Sequence, residues 1–117
     1  MKLHEEWKQY IDEATQEEYL EAQLLLDRLK RKRNGNHSTF VGALFGMERH
    51  FDEEKETLTL TVENSQLLNN TIGILHGGLT ATLLDSTMGT LAKQILPPNK
   101  AVVTTEMKVN FLKPGIG

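Results

Sequence analysis

Asp85 is the only carboxylate in a largely apolar stretch, residues 78–96, whose pattern of apolar residues predicts a helix. On a helical projection at about 100° per residue, Asp85 lies at the edge of the apolar face, between Ala92 and Leu96. No basic residue lies three or four positions away, and an unpaired carboxylate is costly to bury. Carboxylates in such places are often general acids or bases.

A structural role for Asp85 stays open from the residues alone. The carboxylate can accept a hydrogen bond from a nearby hydroxyl, such as that of Thr82 or Ser86. It can also face solvent at the edge of the helix. Periodicity does not decide between these roles and a catalytic one.

Three residues at the start of the same helix, His76, Gly77 and Gly78, form a second candidate group. The first turn of a helix has backbone N–H groups without partners and carries the positive end of the helix dipole. Glycine there lets a carbonyl oxygen approach the backbone, which suits a developing oxyanion. The same pattern is also typical of a tight turn before a closely packed helix, and a single histidine is more often a structural hydrogen-bond donor.

Other catalytic chemistries lack their residues in this sequence. The chain has no cysteine and no GxSxG, Walker A or GxGxxG motif. Its four histidines have no metal-ligand spacing, so we expect no metal and no cofactor. A carboxylate and a helix N-terminus remain, and together they suit the hydrolysis of an activated acyl group: the helix polarises the carbonyl and the carboxylate activates water.

The elements that must position these residues follow from periodicity and from turn residues. A helix is predicted from residue 4 to residue 33, because apolar residues recur at helical spacing and Asn34-Gly35 is a natural C-cap. Strands are predicted at 39–50, 56–64 and 101–112. The order is helix, two strands, apolar helix, strand, which predicts an α+β fold whose sheet wraps the central helix.

Composition limits the classes of protein. The 117 residues suffice for one domain, and 38% hydrophobic and 25% charged residues are typical of a globular chain. A net charge of -3 gives no reason to expect a nucleic-acid partner, and the acidic residues of the first helix largely offset the basic run KRKR at its end. No apolar run has the length of about 18 to 20 residues that a membrane span needs. We expect a cytoplasmic protein that does not bind membranes.

The glycine-rich helix start and the aspartate also form a motif of wider spacing, N-x-x-G-x-x-HGG-x-x-x-x-L-x-D. It resembles the motif of the hotdog-fold acyl-CoA thioesterases, and most closely that of the PaaI-like branch, which includes acyl-CoA thioesterase 13. The later stretch VVTTEMKVNFLKPG resembles the strand that follows the central helix in that branch. The motif residues are Asn70, Gly73, His76, Gly77, Gly78, Leu83 and Asp85.

The resemblance implies an architecture and an assembly. Residues 37–117 are expected to form the hotdog domain, an antiparallel sheet wrapped around a central helix, and residues 1–36 an additional N-terminal helical extension. Members of the family are obligate dimers with active sites at the subunit interface. A homodimer or homotetramer that binds an acyl-CoA substrate is therefore expected.

The resemblance also implies roles for individual residues. Asp85 is expected to act as general base or nucleophile, while the backbone N–H of Gly77 binds the thioester oxygen. His76 is expected to orient the helix start, and Asn70 to position water or substrate from the subunit opposite to Asp85. Thr104 stands where relatives carry a serine or threonine that orients the nucleophilic water. Three further residues are expected to contact substrate: Gly73, Gly78 and Thr82.

One departure from the family leaves alternatives open. Family members continue past this motif with about three more strands, whereas this sequence stops at Gly117. We therefore expect an uncovered apolar surface around Leu84, Met88 and Leu91, and association to bury it. A non-catalytic acyl-CoA-binding protein or an inactive remnant is the alternative to an enzyme. A hotdog-linked transcriptional regulator is disfavoured because one N-terminal helix cannot make a helix-turn-helix.

Overall fold

A computed structural model describes residues 2–35 and 39–116 of the chain. These residues form two compact units, the first ending at Gly46 and the second beginning at Met47. The domain boundary predicted between residues 36 and 37 lies outside the described residues and stays a prediction.

The first unit begins with two helices, α1 (Lys2–Glu13) and α2 (Gln16–Arg33). The prediction of one continuous helix is wrong, because a capping box interrupts it. The Thr15 hydroxyl accepts a hydrogen bond from the Glu18 N–H (3.2 Å), and a carboxylate oxygen of Glu18 accepts one from the Thr15 N–H (3.1 Å). These contacts with the Thr15 side chain and backbone also lower the pKa of Glu18. The Thr-x-x-Glu pattern was a readable start signal.

The predicted strand at 39–50 is wrong over its first part, because residues Phe40–Leu44 form a short helix, α3, that packs against α2. The Thr39 hydroxyl caps this helix by accepting a hydrogen bond from the Gly42 N–H (3.0 Å). A short apolar run does not distinguish strand from helix by periodicity. The cap therefore decided the local conformation.

Gly46 ends the first unit at a position that requires glycine. Its φ of 64° lies in the left-handed region, and the guanidinium of Arg28 lies directly against its Cα, where any side chain would collide with Nη1. Arg28 is only 1% exposed. The buried guanidinium and the glycine therefore depend on each other.

The second unit begins with an antiparallel hairpin of β1 (Met47–Asp52) and β2 (Thr57–Val62). Met47 lies opposite Val62, and Asp52 lies opposite Thr57. A carboxylate oxygen of Asp52 accepts hydrogen bonds from the N–H groups of the turn residues Glu54 (3.0 Å) and Lys55 (3.2 Å). The predicted second strand and its charged turn are confirmed.

The central helix, α4, runs over Gly77–Ile95 and packs against β2. The apolar residues Leu58, Leu60 and Val62 alternate along β2 as half-buried side chains, as predicted. No residue of α4 is fully buried. Leu84 is 44% exposed and Met88 is 53% exposed, which confirms the predicted uncovered surface at these two residues. Leu91, the third residue of the prediction, is half-buried.

The last part of the described chain runs alongside α4 without a strand partner. Thr104 contacts Asp85, and the Leu75 N–H donates to the carbonyl of Gly115 (2.9 Å). The prediction of a third strand at 101–112 is wrong. The sheet of the described residues consists of β1 and β2, and residues 101–112 pair with neither. A strand needs a neighbour, which the alternation of side chains cannot supply.

Candidate functional site

A turn stabilised by Asn70 leads into the start of α4. Its side-chain oxygen accepts hydrogen bonds from the N–H groups of Ile72 (3.0 Å) and Ile74 (3.3 Å). The N–H of Gly73 donates to the carbonyl of Asn70 (3.1 Å), and a φ of 77° explains the glycine. The structure therefore places Asn70 and Gly73, two of the predicted site residues, in the loop that directs the chain into the helix.

His76 is the N-cap of α4. The ring atom Nδ1 accepts a hydrogen bond from the backbone N–H of Gly78 (2.9 Å). The backbone N–H of His76 donates to the carbonyl of Leu68 (2.7 Å). Because Nδ1 is the acceptor, the neutral ring carries its proton on Nε2. The imidazole thus holds the first helical turn in place, while the backbone N–H of His76 ties the helix start to the preceding loop.

The first turn of α4 leaves one backbone donor for a ligand. The N–H groups of Leu79 and Thr80 both donate to the carbonyl of His76 (3.0 and 3.1 Å), and that of Gly78 is taken by the imidazole. Within residues 2–35 and 39–116, no hydrogen bond involves the N–H of Gly77. This donor stands at the positive end of a 19-residue helix.

An apolar cleft of about 530 Å³ lies beside this helix start. Gly77, Thr80 and Leu84 line it from α4, and residues 109–115 line it from the opposite side. Its volume falls in the range of about 300 to 1,000 Å³ that is typical of small-molecule sites. The ring of Phe111 lies over Gly77. A Cβ added to Gly77 would lie 3.4 Å from the nearest ring atom, an ordinary van der Waals distance.

Sequence reasoning missed this cleft and its lining residues Thr80, Leu84 and Phe111. The position of Phe111 on the apolar face of the predicted strand was the available signal. It indicated burial against the central helix but could not indicate which end of the helix the ring would meet.

Asp85 and Thr104 form a second cluster. The Thr104 hydroxyl donates a hydrogen bond to Oδ1 of the half-buried Asp85 (2.5 Å). The hydroxyl of Thr82, considered above as a partner of the carboxylate, instead donates to the carbonyl of Gly78 (3.0 Å). Thr104 therefore orients the carboxylate, and Oδ2 makes no hydrogen bond within the described residues.

One chain does not bring the carboxylate to the free backbone donor. Gly77 and Asp85 lie eight residues apart on the same helix, so that their backbones are separated by roughly 12 Å along its axis. Asp85 is also absent from the cleft lining. The predicted site residues thus form two groups, one at the helix start and one two turns further along.

Neither a metal cluster nor a membrane-spanning helix is found in the described residues. Across residues 2–35 and 39–116, no group of three or more histidine, aspartate or glutamate side chains is arranged to hold a metal ion. None of the helices there combines the length and the apolar character that crossing a membrane requires.

Comparison with known proteins identifies a matching family and similar solved structures. The model of the thioesterase superfamily matches residues 72–116, a range that contains the helix start, Asp85 and Thr104. The structure is similar to the crystal structure of the BH2602 protein from Bacillus halodurans with CoA, with a TM-score of 0.80 and 31% sequence identity. The alignment covers 92% of this chain and 70% of that one. Among curated proteins, none matches the chain.

Proposed function

Because the chain belongs to the thioesterase superfamily and has the hotdog fold predicted from its sequence, we propose that it hydrolyses an acyl-CoA or aryl-CoA thioester to a free acid and coenzyme A. The observation that carries the proposal is the uncommitted N–H of Gly77, which lies at the positive end of α4 beside an apolar cleft. The similarity to a structure with CoA supports a ligand of that type.

The helix start provides the electrophilic half of the reaction. The thioester carbonyl oxygen accepts a hydrogen bond from the Gly77 N–H, and the acyl group lies against the apolar lining of the cleft. Negative charge grows on that oxygen in the transition state, where a fixed donor at a helix N-terminus stabilises it most. His76 supports this donor indirectly because it holds the first turn.

Asp85 provides the second half of the reaction. As a general base, its Oδ2 accepts a proton from a water whose oxygen attacks the carbonyl carbon; the C–S bond then breaks and the CoA sulfur leaves as the thiol with the proton that Asp85 returns. As a nucleophile, the same oxygen attacks the carbonyl carbon directly, the C–S bond breaks, and the CoA thiolate leaves and takes a proton from water. A second water then hydrolyses the mixed anhydride to the free acid and restores the Asp85 carboxylate. In both routes Thr104 holds Oδ1 and fixes the direction of Oδ2.

The two halves meet in this proposal across a homodimer. Since roughly 12 Å separate Gly77 and Asp85 within one helix, a carbonyl bound at one cannot be attacked by the other of the same chain. Asp85 therefore acts on a thioester bound at Gly77 of the partner subunit, with Asn70 of that subunit beside it. The exposed side chains of Leu84 and Met88 provide an apolar surface for this association.

A second candidate is a protein that binds acyl-CoA without turnover. The separation of Asp85 from Gly77 favours it, because an unassociated chain keeps the oxyanion donor and the cleft but lacks a base beside them. For the first candidate, the hydrolase, we further propose that the chain belongs to the PaaI-like branch and is located in the cytoplasm. The spacing from Asn70 to Asp85 supports the branch, and the composition supports the location.

A paired assay separates the candidates. A panel of acyl-CoA and aryl-CoA thioesters is incubated with the chain, free thiol is quantified, and binding of each thioester is measured by calorimetry with the Asp85→Asn variant. Thiol release that disappears in the variant, with binding retained, supports the hydrolase. Binding without release by the unsubstituted chain supports the second candidate, and absence of binding contradicts both.

A further inference from the structure

The first helix, α1, presents an apolar face that lies exposed. Leu3, Trp7, Tyr10 and Ile11 recur at the spacing of one helical face, and α1 has no buried residue. Trp7 is 48% exposed. Among the described elements the packed pairs are β1 with β2, α2 with α3, and α4 with β2, and α1 belongs to none of them. Tryptophan and tyrosine are the side chains that most often anchor interfaces.

This helix is too short to be stable in water by itself. It has 12 residues, and isolated helices shorter than about 12 to 15 residues are marginal. Its polar face contributes an exposed ion pair from Lys8 to Asp12 (2.7 Å) and a hydrogen bond from Gln9 to Glu13 (3.2 Å). Such pairs add little, so a packing partner must stabilise α1.

A matching apolar face lies on α2. Tyr19, Leu26 and Leu29 are exposed, and their spacing of seven and three residues places them on one side of the helix. The small side chain of Ala22, which is 9% exposed, lies between Leu26 and Leu29 on the same side. Arg28 follows Leu26 by two residues and so points about 200° away from it. Its guanidinium contacts Gly46. The exposed face therefore lies opposite to the contact that α2 makes inside its own unit.

The charges beside the two faces have opposite sign. On α1, Glu6 and Glu13 lie along one edge of the apolar face and Lys8 lies beside the other edge. The helix as a whole has four carboxylates and two lysines. On α2, the exposed Lys30 and Arg33 lie on the same side as Leu26, in a last turn that contains four basic residues. The acidic margin of α1 disfavours an anionic membrane or a nucleic acid as its partner. It suits the basic end of α2.

The two faces lie on one chain but do not meet within it. Only Ala14 and Thr15 connect the helices, and α1 does not fold back to pack against α2. We propose that α1 docks on the face of α2 formed by Tyr19, Leu26 and Leu29 in a second copy of this chain, and that the second copy reciprocates. Such an exchange is self-complementary, as a two-fold dimer requires. It does not depend on the proposed hydrolysis.

The absence of cysteine from the chain allows a direct test in trans. One full-length chain carries Ile11→Cys and a second, of different mass because of a tag, carries Leu26→Cys; the two are mixed and mildly oxidised. A disulfide-linked pair of unequal masses is expected. The matched control replaces Ile11→Cys by Glu5→Cys, on the opposite face of α1, and should give at least about tenfold less product. Equal product from both pairs, or none from either, overturns the proposal.

A charge-reversal experiment tests whether these acidic and basic residues face each other. When the Ile11→Cys chain also carries Glu6→Lys and Glu13→Lys, the cross-linked product should form about tenfold more slowly. Lys30→Glu with Arg33→Glu on the Leu26→Cys chain should restore the rate. An unchanged rate in the first case, or no recovery in the second, contradicts docking of α1 on α2 of another copy.

Discussion

The hydroxyl of Thr104 donates a hydrogen bond to Oδ1 of Asp85 (2.5 Å), although the two residues lie 19 positions apart in the sequence. This bond connects the segment after α4 to the middle of the helix. It leaves Oδ2 of Asp85 without a hydrogen bond within the described residues. In the proposed hydrolysis this oxygen acts on water or on the thioester, which is the basis of the first two predictions.

Replacing Asp85 by asparagine should lower the rate of thiol release at least about a hundredfold, the usual contribution of a positioned acid or base. The fold should survive, because the amide oxygen can still accept the hydrogen bond from Thr104. Thermal unfolding is measured beside the thiol assay. Asp12→Asn, on the polar face of α1, is the matched control and should leave turnover unchanged. Wild-type turnover in the Asp85→Asn variant would exclude the catalytic role of Asp85.

Thr104→Val should lower turnover by about tenfold to a hundredfold, because a hydrogen bond to a charged group contributes roughly 1.5 to 3 kcal/mol. The valine has nearly the same shape but cannot donate, so Asp85 loses its orientation. Thr104→Ser retains the hydroxyl and should stay within a few-fold of the unsubstituted chain. Equal kcat for the valine and serine variants would show that the bond has no part in turnover.

Gly77→Val should nearly abolish thiol release, because a branched side chain would stand between the thioester oxygen and the N–H. Loss of one oxyanion donor costs about 3 to 4 kcal/mol in other enzymes. Gly78→Ala is the comparison: its Cβ would lie 3.1 Å from the ring of His76, so it should weaken the cap and reduce turnover less. A folded Gly77→Val variant with unchanged turnover argues against an oxyanion site.

His76→Ala should lower the free energy of unfolding by about 1 kcal/mol, because α4 loses its N-cap. His76→Asn, which supplies a short side-chain acceptor to the Gly78 N–H, should recover most of that loss. Urea unfolding followed by circular dichroism measures both. If the alanine variant is as stable as the unsubstituted chain, the bond from Gly78 to Nδ1 makes no net contribution to stability.

Gly46→Ala should destabilise the chain by more than about 1 kcal/mol, because it combines a left-handed backbone with a collision against Arg28. Gly35→Ala is the control for the backbone effect alone: its φ is 82°, but no atom of the described residues lies within 4 Å of an added Cβ. The difference in unfolding free energy between the two variants measures the collision. Equal destabilisation would mean that Arg28 moves aside freely.

Much of the local structure was predictable because short-range rules decide it. The apolar period and the proline pair after Leu96 define α4 to within a residue or two, and alternation along Leu58, Leu60 and Val62 defines β2. The missed break at Thr15 was also local, since a capping box was present in the sequence. The ambiguity of residues 39–46 was genuine, because an apolar run of that length suits either a strand or a helix.

The candidate residues followed from the sequence, since the spacing from Asn70 to Asp85 and the type of each residue need no coordinates. Only the tertiary structure decided what each one contacts. It paired Thr104 with Asp85, used His76 to occupy the Gly78 N–H while leaving that of Gly77, and placed Phe111 over the same glycine. These contacts join residues far apart along the chain or depend on the path of a loop, and side-chain periodicity carries no information about either.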